Sequence, residues 1–259
     1  MSTHPPEPTD EIEIEAAPGV RLGVSRWLRD RPTAVVVAPG FFRSRHSPML
    51  VATAARIAAA HDVYLFDFRG HGTSTGRYTF GRRETDDLAA VLAHVRGRGH
   101  VRIAVVGFSM GGTVAVRTLG AERRAGRDPQ IAALVTVSSP SEVSRLRPRL
   151  PPRGLLGQSF AAERHRLPRL DLATLVRHRL DTVALAAWIS PTPWLVLHNL
   201  GDWLVPHAMA EALHRGARPP CTLHLFRNRA RLHADALVRT IPDEFFGVLE
   251  PFLQARLCP

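Results

Sequence analysis

Short apolar runs alternate with longer, more mixed segments along most of the 259-residue chain. Runs of β-branched and other apolar residues predict core strands at positions 34–38, 63–68, 101–106, 131–137, 194–198 and 222–226. Helices are predicted between or after them, at positions 48–60, 84–96, 110–121, 208–213 and 245–256. Strands separated by helices of this length imply a parallel sheet with right-handed crossovers. The pattern therefore predicts an α/β fold with helices on both faces of the sheet.

The N-terminal region follows a different pattern. Residues 1–10 are polar and rich in proline, which favours a flexible tail. Positions 11–15 alternate acidic residues with isoleucine, and positions 21–27 can supply the second strand of a hairpin that turns at Pro18 and Gly19. With this hairpin we expect a mostly parallel sheet of about eight strands in one domain, residues 11–259.

The regular alternation breaks between residues 141 and 190. This stretch contains four prolines, helical pieces between 171 and 187, and nine arginines at positions 145, 147, 149, 153, 164, 166, 169, 177 and 179. We interpret it as a short cap inserted over the ends of the strands. A separate domain is disfavoured because about 50 residues bury little apolar surface by themselves.

Composition limits the location of the protein and its partners. The first 15 residues lack the basic-then-apolar order of a signal peptide, and no apolar run approaches the roughly 18 residues of a membrane span. We therefore expect a cytoplasmic protein with no membrane span. Cys221 and Cys258 are the two cysteines, too few for a disulfide framework and a weak basis for metal binding. No metal or organic cofactor is expected.

The net charge of +11 is unusual, and all 34 basic residues are arginine. Codon bias in a GC-rich genome would produce this composition. Alternatively, a basic surface would attract anionic substrates, membrane surfaces or nucleic acid. Nucleic-acid binding is disfavoured because no binding module is visible and aromatic residues do not interleave with the basic runs.

The strongest chemical signal is the segment Gly-Phe-Ser-Met-Gly-Gly at residues 107–112. A predicted strand leads directly into it and a predicted helix follows it. A serine on such a strand-to-helix turn is strained, with its hydroxyl oxygen exposed above the sheet edge. The N-terminus of the helix favours negative charge that develops beside Ser109. The alternative is a glycine-rich turn in which Ser109 only caps the helix.

A serine nucleophile needs a histidine base and an acid that orients the base. In folds with this strand-turn-helix motif, the chain order is serine, acid, histidine. Asp202 follows the strand predicted at 194–198, and His233 follows the strand predicted at 222–226. Each could also be an ordinary loop residue. The other candidate bases and acids are His71, His198, His207, His224, Glu142 and Asp235.

Acyl transfer also needs hydrogen-bond donors for the oxyanion of the tetrahedral intermediate. One donor should be the backbone N–H of Met110, the residue after the nucleophile. The other should come from the loop that follows the strand at 34–38. Gly40 allows this loop to turn tightly and to direct the N–H of Phe41 inward.

Three motifs resemble those of bacterial α/β-hydrolases of the esterase/lipase type. They are the Ser109 segment, the Asp-Phe-Arg-Gly-His-Gly-Thr-Ser run at 67–74 and the Asp-Trp-Leu-Val-Pro run at 202–206. The resemblance covers nearly the whole chain and implies Ser109 as nucleophile, Asp202 as acid and His233 as base. It also implies an oxyanion hole from Phe41 and Met110, and a structural role for the turn at 67–72.

The sequence departs from that family's pattern at two places. The oxyanion loop begins Pro39-Gly40 where the family usually has His-Gly, which leaves the backbone donor in place. An Arg-Ala-Arg-Leu run at 229–232 precedes His233, where the family usually has a glycine-rich turn. Bulky residues there could displace the imidazole.

The function predicted from the sequence is hydrolysis of a small carboxylic ester through a Ser109 acyl-enzyme. One alternative is a thioesterase or acyltransferase, in which the cap arginines bind the phosphates of an acyl-CoA-like substrate. The other is a catalytically inactive binding module of the same fold. Phe41, Phe42 and Trp203 suit an acyl group of modest size, although core packing explains them equally well. The sequence leaves the oligomeric state open.

Overall fold

The computed structural model describes residues 6–142, 167–175, 182–228 and 230–258. Across these residues eight strands form one sheet in the order β1-β2-β4-β3-β5-β6-β7-β8. The strands are β1 Asp10–Ala17, β2 Val20–Trp27, β3 Thr33–Ala38, β4 Asp62–Phe66, β5 Arg102–Phe108, β6 Ala133–Val137, β7 Trp194–Asn199 and β8 Cys221–Phe226.

Five longer helices and three short ones accompany these strands in the described part of the chain. The longer helices are α1 Pro48–Ile57, α2 Glu84–Gly97, α3 Met110–Arg124, α6 His207–Gly216 and α8 Pro242–Leu257. The short helices are α4 Leu172–Leu175, α5 Val183–Ala186 and α7 Ala236–Thr240. At five residues, α7 is too short to show helical periodicity, and the sequence pattern did not reveal it.

The strand pairing confirms the predicted α/β fold. β1 and β2 form the antiparallel hairpin, and β2 pairs antiparallel with β4. All pairings from β4 through β3, β5, β6 and β7 to β8 are parallel. Because the carboxyl ends of parallel strands meet at one edge, the loops after β3, β5, β7 and β8 lie at the same edge of the sheet.

The core has one layer on each face of the sheet. Val36 packs with α2, α3 and α6 on one face, whereas Val35 and Val37 pack with α1, α7 and α8 on the other. Successive side chains of a strand point to opposite faces, so a strand covered on both sides must be apolar at every position. This arrangement explains the continuous apolar runs in the sequence.

Strand β4 ends two residues earlier than the sequence pattern predicted. The carboxylate of Asp67 accepts hydrogen bonds from the backbone N–H groups of Arg45 at 2.6 Å and Thr73 at 3.1 Å. The side chain of Arg69 forms a bidentate pair with buried Asp87, with its shortest contact at 2.6 Å. These local bonds turn the chain after Phe66.

The residues just before β1 are held against β2. Thr9 N–H donates to the carbonyl oxygen of Arg26 at 2.6 Å, and the indole N–H of Trp27 donates to the carbonyl oxygen of Pro6 at 2.9 Å. The buried indole needs an acceptor, which residues 6–9 supply. Within the flexible tail expected at 1–10, Pro6 and Thr9 are thus bonded to the sheet and Asp10 begins β1. Residues 1–5 lie outside the described residues.

Most of the predicted cap lies outside the described residues, at positions 143–166 and 176–181, together with eight of its nine arginines. Its described parts contact the main domain. Arg169 and Leu170 run beside the loop after β4, where the N–H of Tyr78 donates to the carbonyl oxygen of Arg169 at 2.7 Å. Helix α5 packs against α3 at Gly120, where an added Cβ would lie 2.8 Å from the carbonyl oxygen of Leu185.

In the described ranges no helix combines the length and the apolar character that a membrane crossing requires.

Candidate active site

Ser109 lies in the turn that joins β5 to α3. Its backbone has φ 49° and ψ −119°, a strained conformation for a residue with a side chain. Such a conformation costs on the order of 1–3 kcal/mol and persists because its surroundings hold it. Part of the restraint is the Ser109 N–H, which donates to the carbonyl oxygen of Val137 in β6 at 2.7 Å. The side chain of Ser109 is partly exposed at the sheet edge.

Glycines allow α3 to begin directly against the sheet. A Cβ at Gly107 would lie 2.5 Å from Cα of Gly112. A Cβ at Gly111 would overlap the carbonyl oxygens of Ala38 and Pro39, at the end of β3. The Ser109 turn therefore lies in close contact with the loop after β3.

Asp202 is fixed in the loop after β7. Its Oδ1 accepts the backbone N–H groups of Leu204 and Val205, each at 2.9 Å, and its side chain is fully buried. Burial by itself would raise the pKa of this carboxyl. The interactions with His233, together with His198 and the N–H of Val205, outweigh burial and lower the pKa below its ordinary value. Asp202 is therefore ionised at neutral pH.

His233 lies between Asp202 and Ser109. Its Nδ1 is 2.8 Å from Oδ2 and 3.1 Å from Oδ1 of Asp202, and its Nε2 is 3.0 Å from Oγ of Ser109. An ionised carboxylate can only accept, so Nδ1 carries the proton and donates to Asp202. The lone pair of Nε2 is then directed at the Ser109 hydroxyl, which donates to it. The arrangement can remove a proton from Ser109.

The residues on either side of His233 anchor its loop. Leu232 and Ala234 are buried in the core layer that also contains α7 and α8. Ala234 has φ 48°, so the chain turns sharply after His233. With both neighbours directed into the core, the imidazole is held on the opposite side, above Ser109.

The glycine that permits close packing here is in the acid loop and not in the histidine loop. A Cβ at Gly201 would lie 2.8 Å from the carbonyl oxygen of Ala230 and 3.0 Å from that of Asn228. The side chain of Asn199 donates to the same Ala230 oxygen at 2.9 Å. Ala230, Arg231 and Leu232 therefore do not displace His233, because Gly201 leaves room for the backbone of this loop. Arg229 lies outside the described residues.

The loop after β3 approaches Ser109 from the other side. A Cβ at Gly40 would lie 3.2 Å from Cβ of Ser109. Among the described residues, neither the N–H of Phe41 nor that of Met110 donates to a protein acceptor. Two backbone donors are thus left free next to the hydroxyl that His233 faces.

His71, a candidate base that also lies in the turn expected to be structural, supports this loop. Its Nδ1 donates to the carbonyl oxygen of Arg69 at 3.3 Å, and its Nε2 faces the N–H of Phe42 at 3.4 Å. The ring packs edge-on against Phe41 and Tyr78, with centroids 5.8 and 4.6 Å away. Burial lowers the pKa of His71 to about 4, which keeps the ring neutral and able to accept at Nε2.

The lowered pKa of His71 predicts a loss of stability in acid. The unfolded chain binds a proton near pH 6.5, whereas the folded protein binds it only near pH 4. The contribution is fully present above pH 6.5 and is lost as the pH falls toward 4, a change of up to about 3 kcal/mol. We expect urea unfolding of His71→Gln to show a smaller decrease in the free energy of unfolding between pH 7 and pH 4.5 than the wild-type protein. Equal decreases in both proteins would contradict this expectation.

The other candidate residues lie elsewhere or have other partners. His198 is buried at the end of β7, where its Nε2 donates to the carbonyl oxygen of Val205 at 2.9 Å and lies 3.8 Å from Oδ2 of Asp202. Burial lowers the pKa of His198 and keeps it neutral. His224 packs edge-on against Phe226 in β8. The remaining candidates are His207 at the start of α6, Glu142 after β6, and Asp235, which pairs with Arg43.

Across the described residues no group of three or more histidine, cysteine, aspartate or glutamate side chains is arranged to hold a metal ion.

Comparison with protein families gives a match to the alpha/beta hydrolase family over residues 35–239. Two relatives are both described as uncharacterized protein YfhR. The Salmonella typhi protein is 27% identical over 169 residues, which are 61% of this chain and 51% of that protein. The Escherichia coli protein is 25% identical over 202 residues, 76% of this chain and 62% of that protein. The chain thus spans less than two thirds of the length of these relatives.

Two solved structures share the fold. The esterase Pf2001 of Pyrococcus furiosus superimposes with a TM-score of 0.74 at 20% identity, over 96% of this chain and 92% of that one. The esterase RhEst1 of Rhodococcus sp. ECU1013 gives a TM-score of 0.74 at 20% identity, over 95% and 99% of the two chains.

Proposed function

The chain belongs to the alpha/beta hydrolase family, and we propose from this premise that it is a serine hydrolase that cleaves a carboxylic ester. Ser109 is the nucleophile, His233 the general base and acid, and Asp202 the group that orients the imidazole. The observation that carries the proposal is the continuous chain of contacts from Oγ of Ser109 to Nε2 of His233 at 3.0 Å and from Nδ1 to Asp202 at 2.8 Å.

In the first half of the reaction, Oγ of Ser109 attacks the ester carbonyl carbon while Nε2 of His233 takes the hydroxyl proton. The carbonyl oxygen becomes an oxyanion, which accepts hydrogen bonds from the N–H groups of Phe41 and Met110. The carbon–oxygen bond to the alcohol then breaks. The alcohol leaves with the proton from Nε2, and an acyl-Ser109 ester remains.

In the second half, water attacks the acyl carbon and His233 takes a proton from that water. The tetrahedral intermediate collapses by breaking the bond to Oγ, which recovers the proton from Nε2. The products are the carboxylic acid and the free Ser109 hydroxyl. In both halves the buried carboxylate of Asp202 stabilises the imidazolium that forms transiently, which is consistent with the lowered pKa of Asp202.

Aromatic side chains near the site support an apolar substrate of small size. Phe42, at 43% exposure, is the most exposed large apolar residue of the loop after β3. The ring of Trp203 lies edge-on to the His233 imidazole at 6.3 Å. An acyl or alcohol group at Ser109 would contact these rings and release water from them.

The thioester alternative depended on the arginines of the predicted cap, and Arg169 is the member among them that the structure describes. Its guanidinium donates to the carbonyl oxygen of Ser74 and so bonds to the scaffold. Arg169 is therefore a scaffold residue, and the other eight arginines lie outside the described residues.

The proposal is tested by assaying the purified protein on nitrophenyl esters from acetate to decanoate and on the matching acyl-CoA thioesters. We expect the esters to be turned over, with kcat/KM at least about tenfold above the thioesters, which is about 1.4 kcal/mol in transition-state binding. A fluorophosphonate probe should label the protein on Ser109. Preference for the thioesters would indicate the transferase or thioesterase class, and failure of both turnover and labelling would indicate a binding module.

A further inference from the structure

A bidentate ion pair joins two loops of the candidate site. Nε of Arg43 is 3.1 Å from Oδ2 of Asp235, and the second nitrogen, Nη2, is 3.3 Å from Oδ1. The two side chains are 22% and 10% exposed. A guanidinium that faces both oxygens of a carboxylate fixes the orientation of the two groups as well as their distance.

Each residue of this pair lies close in sequence to a residue of the candidate site. Arg43 lies two residues after Phe41, in the loop that follows β3, and its N–H donates to the carbonyl oxygen of Gly40 at 3.1 Å. Asp235 lies two residues after His233, at the start of α7. Although 192 positions separate them in sequence, the pair directly links the loop with the Phe41 donor to the loop with the His233 imidazole.

The reaction proposed above needs such a link. Ser109 is held between β5 and α3, whereas Phe41 and His233 both lie in loops beyond the ends of their strands. The oxyanion donor and the base must contact the same tetrahedral intermediate at the same time. A shift of one loop relative to the other would misplace the donor or the base without unfolding the protein.

We propose that Arg43 and Asp235 are positioning residues that hold the oxyanion loop in register with the catalytic histidine. This inference rests on the proposed function. Asp235 takes two of the donors of Arg43, and the pair acts by holding the two loops together. Because the donor and the base are used mainly in the transition state, loss of the pair should lower kcat and leave KM nearly unchanged.

The test uses Arg43→Gln, Asp235→Asn and the double variant in full-length protein. Each single variant should lose about tenfold to a hundredfold in kcat, as is usual for small misplacements of catalytic groups. The double variant should be no slower than the slower single variant, because both changes break one contact. Arg43→Lys, which retains the charge but not the second contact, should fall between the wild-type protein and Arg43→Gln. Labelling of Ser109 by the fluorophosphonate should slow in parallel.

Arg127→Gln is the matched control. It breaks the bidentate pair of Arg127 with Glu122, with contacts of 2.6 and 2.9 Å, beyond the C-terminal end of α3. Ser109 lies at the other end of this helix, about 20 Å away. The control should keep the kcat of the wild-type protein.

Three results would overturn the positioning role of the Arg43–Asp235 pair. The first is that both single variants keep the kcat and the labelling rate of the wild-type protein. The second is that the losses in kcat of the two single variants multiply in the double variant. The third is that Arg43→Gln changes only KM while Asp235→Asn changes neither kcat nor KM. The last result would make Arg43 a substrate-binding cation. If Arg43→Gln does not fold, the comparison of Arg43→Lys with the wild-type protein decides in the same way. If the fluorophosphonate does not label the wild-type protein, the proposed function itself is overturned. If it labels the wild-type protein and the variants equally fast, only the positioning role of the Arg43–Asp235 pair is overturned.

Discussion

Replacing Ser109 by alanine is expected to lower kcat for ester hydrolysis by a factor of about 10⁴ to 10⁶, because the variant lacks the hydroxyl that forms the acyl-enzyme in the proposed reaction. The fold should be unaffected. The bond from the residue 109 N–H to the carbonyl oxygen of Val137 does not involve the side chain, and alanine retains the Cβ that the turn already accommodates. The measurements are ester turnover, fluorophosphonate labelling and thermal unfolding of the purified variant.

Ser138→Ala is the matched control for this variant. Ser138 follows the neighbouring strand β6 with a similar positive φ of 50°, and its hydroxyl is buried with no hydrogen-bond partner among the described residues. The control should retain activity and labelling. If Ser109→Ala keeps more than a few per cent of wild-type turnover in preparations free of contaminating esterase, Ser109 is not the nucleophile.

Replacing His233 by alanine should reduce activity about as much as replacing Ser109. The two residues act as one unit, so the double variant should be no slower than either single variant. Asp202→Asn should cost less than loss of the histidine. The imidazole can still reach Oγ of Ser109, but the asparagine amide favours the wrong tautomer of His233. The measurement is kcat for a nitrophenyl ester in all four variants.

His207→Ala, at the start of α6, is the control for a general effect of removing a histidine, and it should leave turnover unchanged. His198→Ala tests the alternative base next to Asp202, because Nε2 of His198 lies 3.8 Å from the Oδ2 that His233 also contacts. An active His233→Ala variant together with an inactive His198→Ala variant would show that the base is misassigned. That outcome would leave the assignment of Ser109 intact.

The sequence alone determined the features that depend on neighbouring residues. Apolar runs and their spacing are local, so they predicted β3 and β5, the helices beside them and the parallel sheet. The turn at Ser109 was also predicted from the sequence, because its glycines are needed within a few residues of the serine they serve. The chain order of Ser109, Asp202 and His233 reduced the number of candidate acids and bases, but it did not exclude His198, His207 or His224 as the base.

Only the tertiary structure decided which distant side chains meet. His233 is 124 positions from Ser109, and their contact depends on the burial of Leu232 and Ala234 on either side of the imidazole. No local pattern reveals that Gly201 leaves room for the loop with His233, or that His71 supports the loop after β3. The pairing of Arg43 with Asp235 is of the same kind, because each residue alone is an ordinary charged loop residue. Such contacts are set by the order of strands in the sheet, which brings loops from remote parts of the chain to one edge, where short-range propensity has no influence.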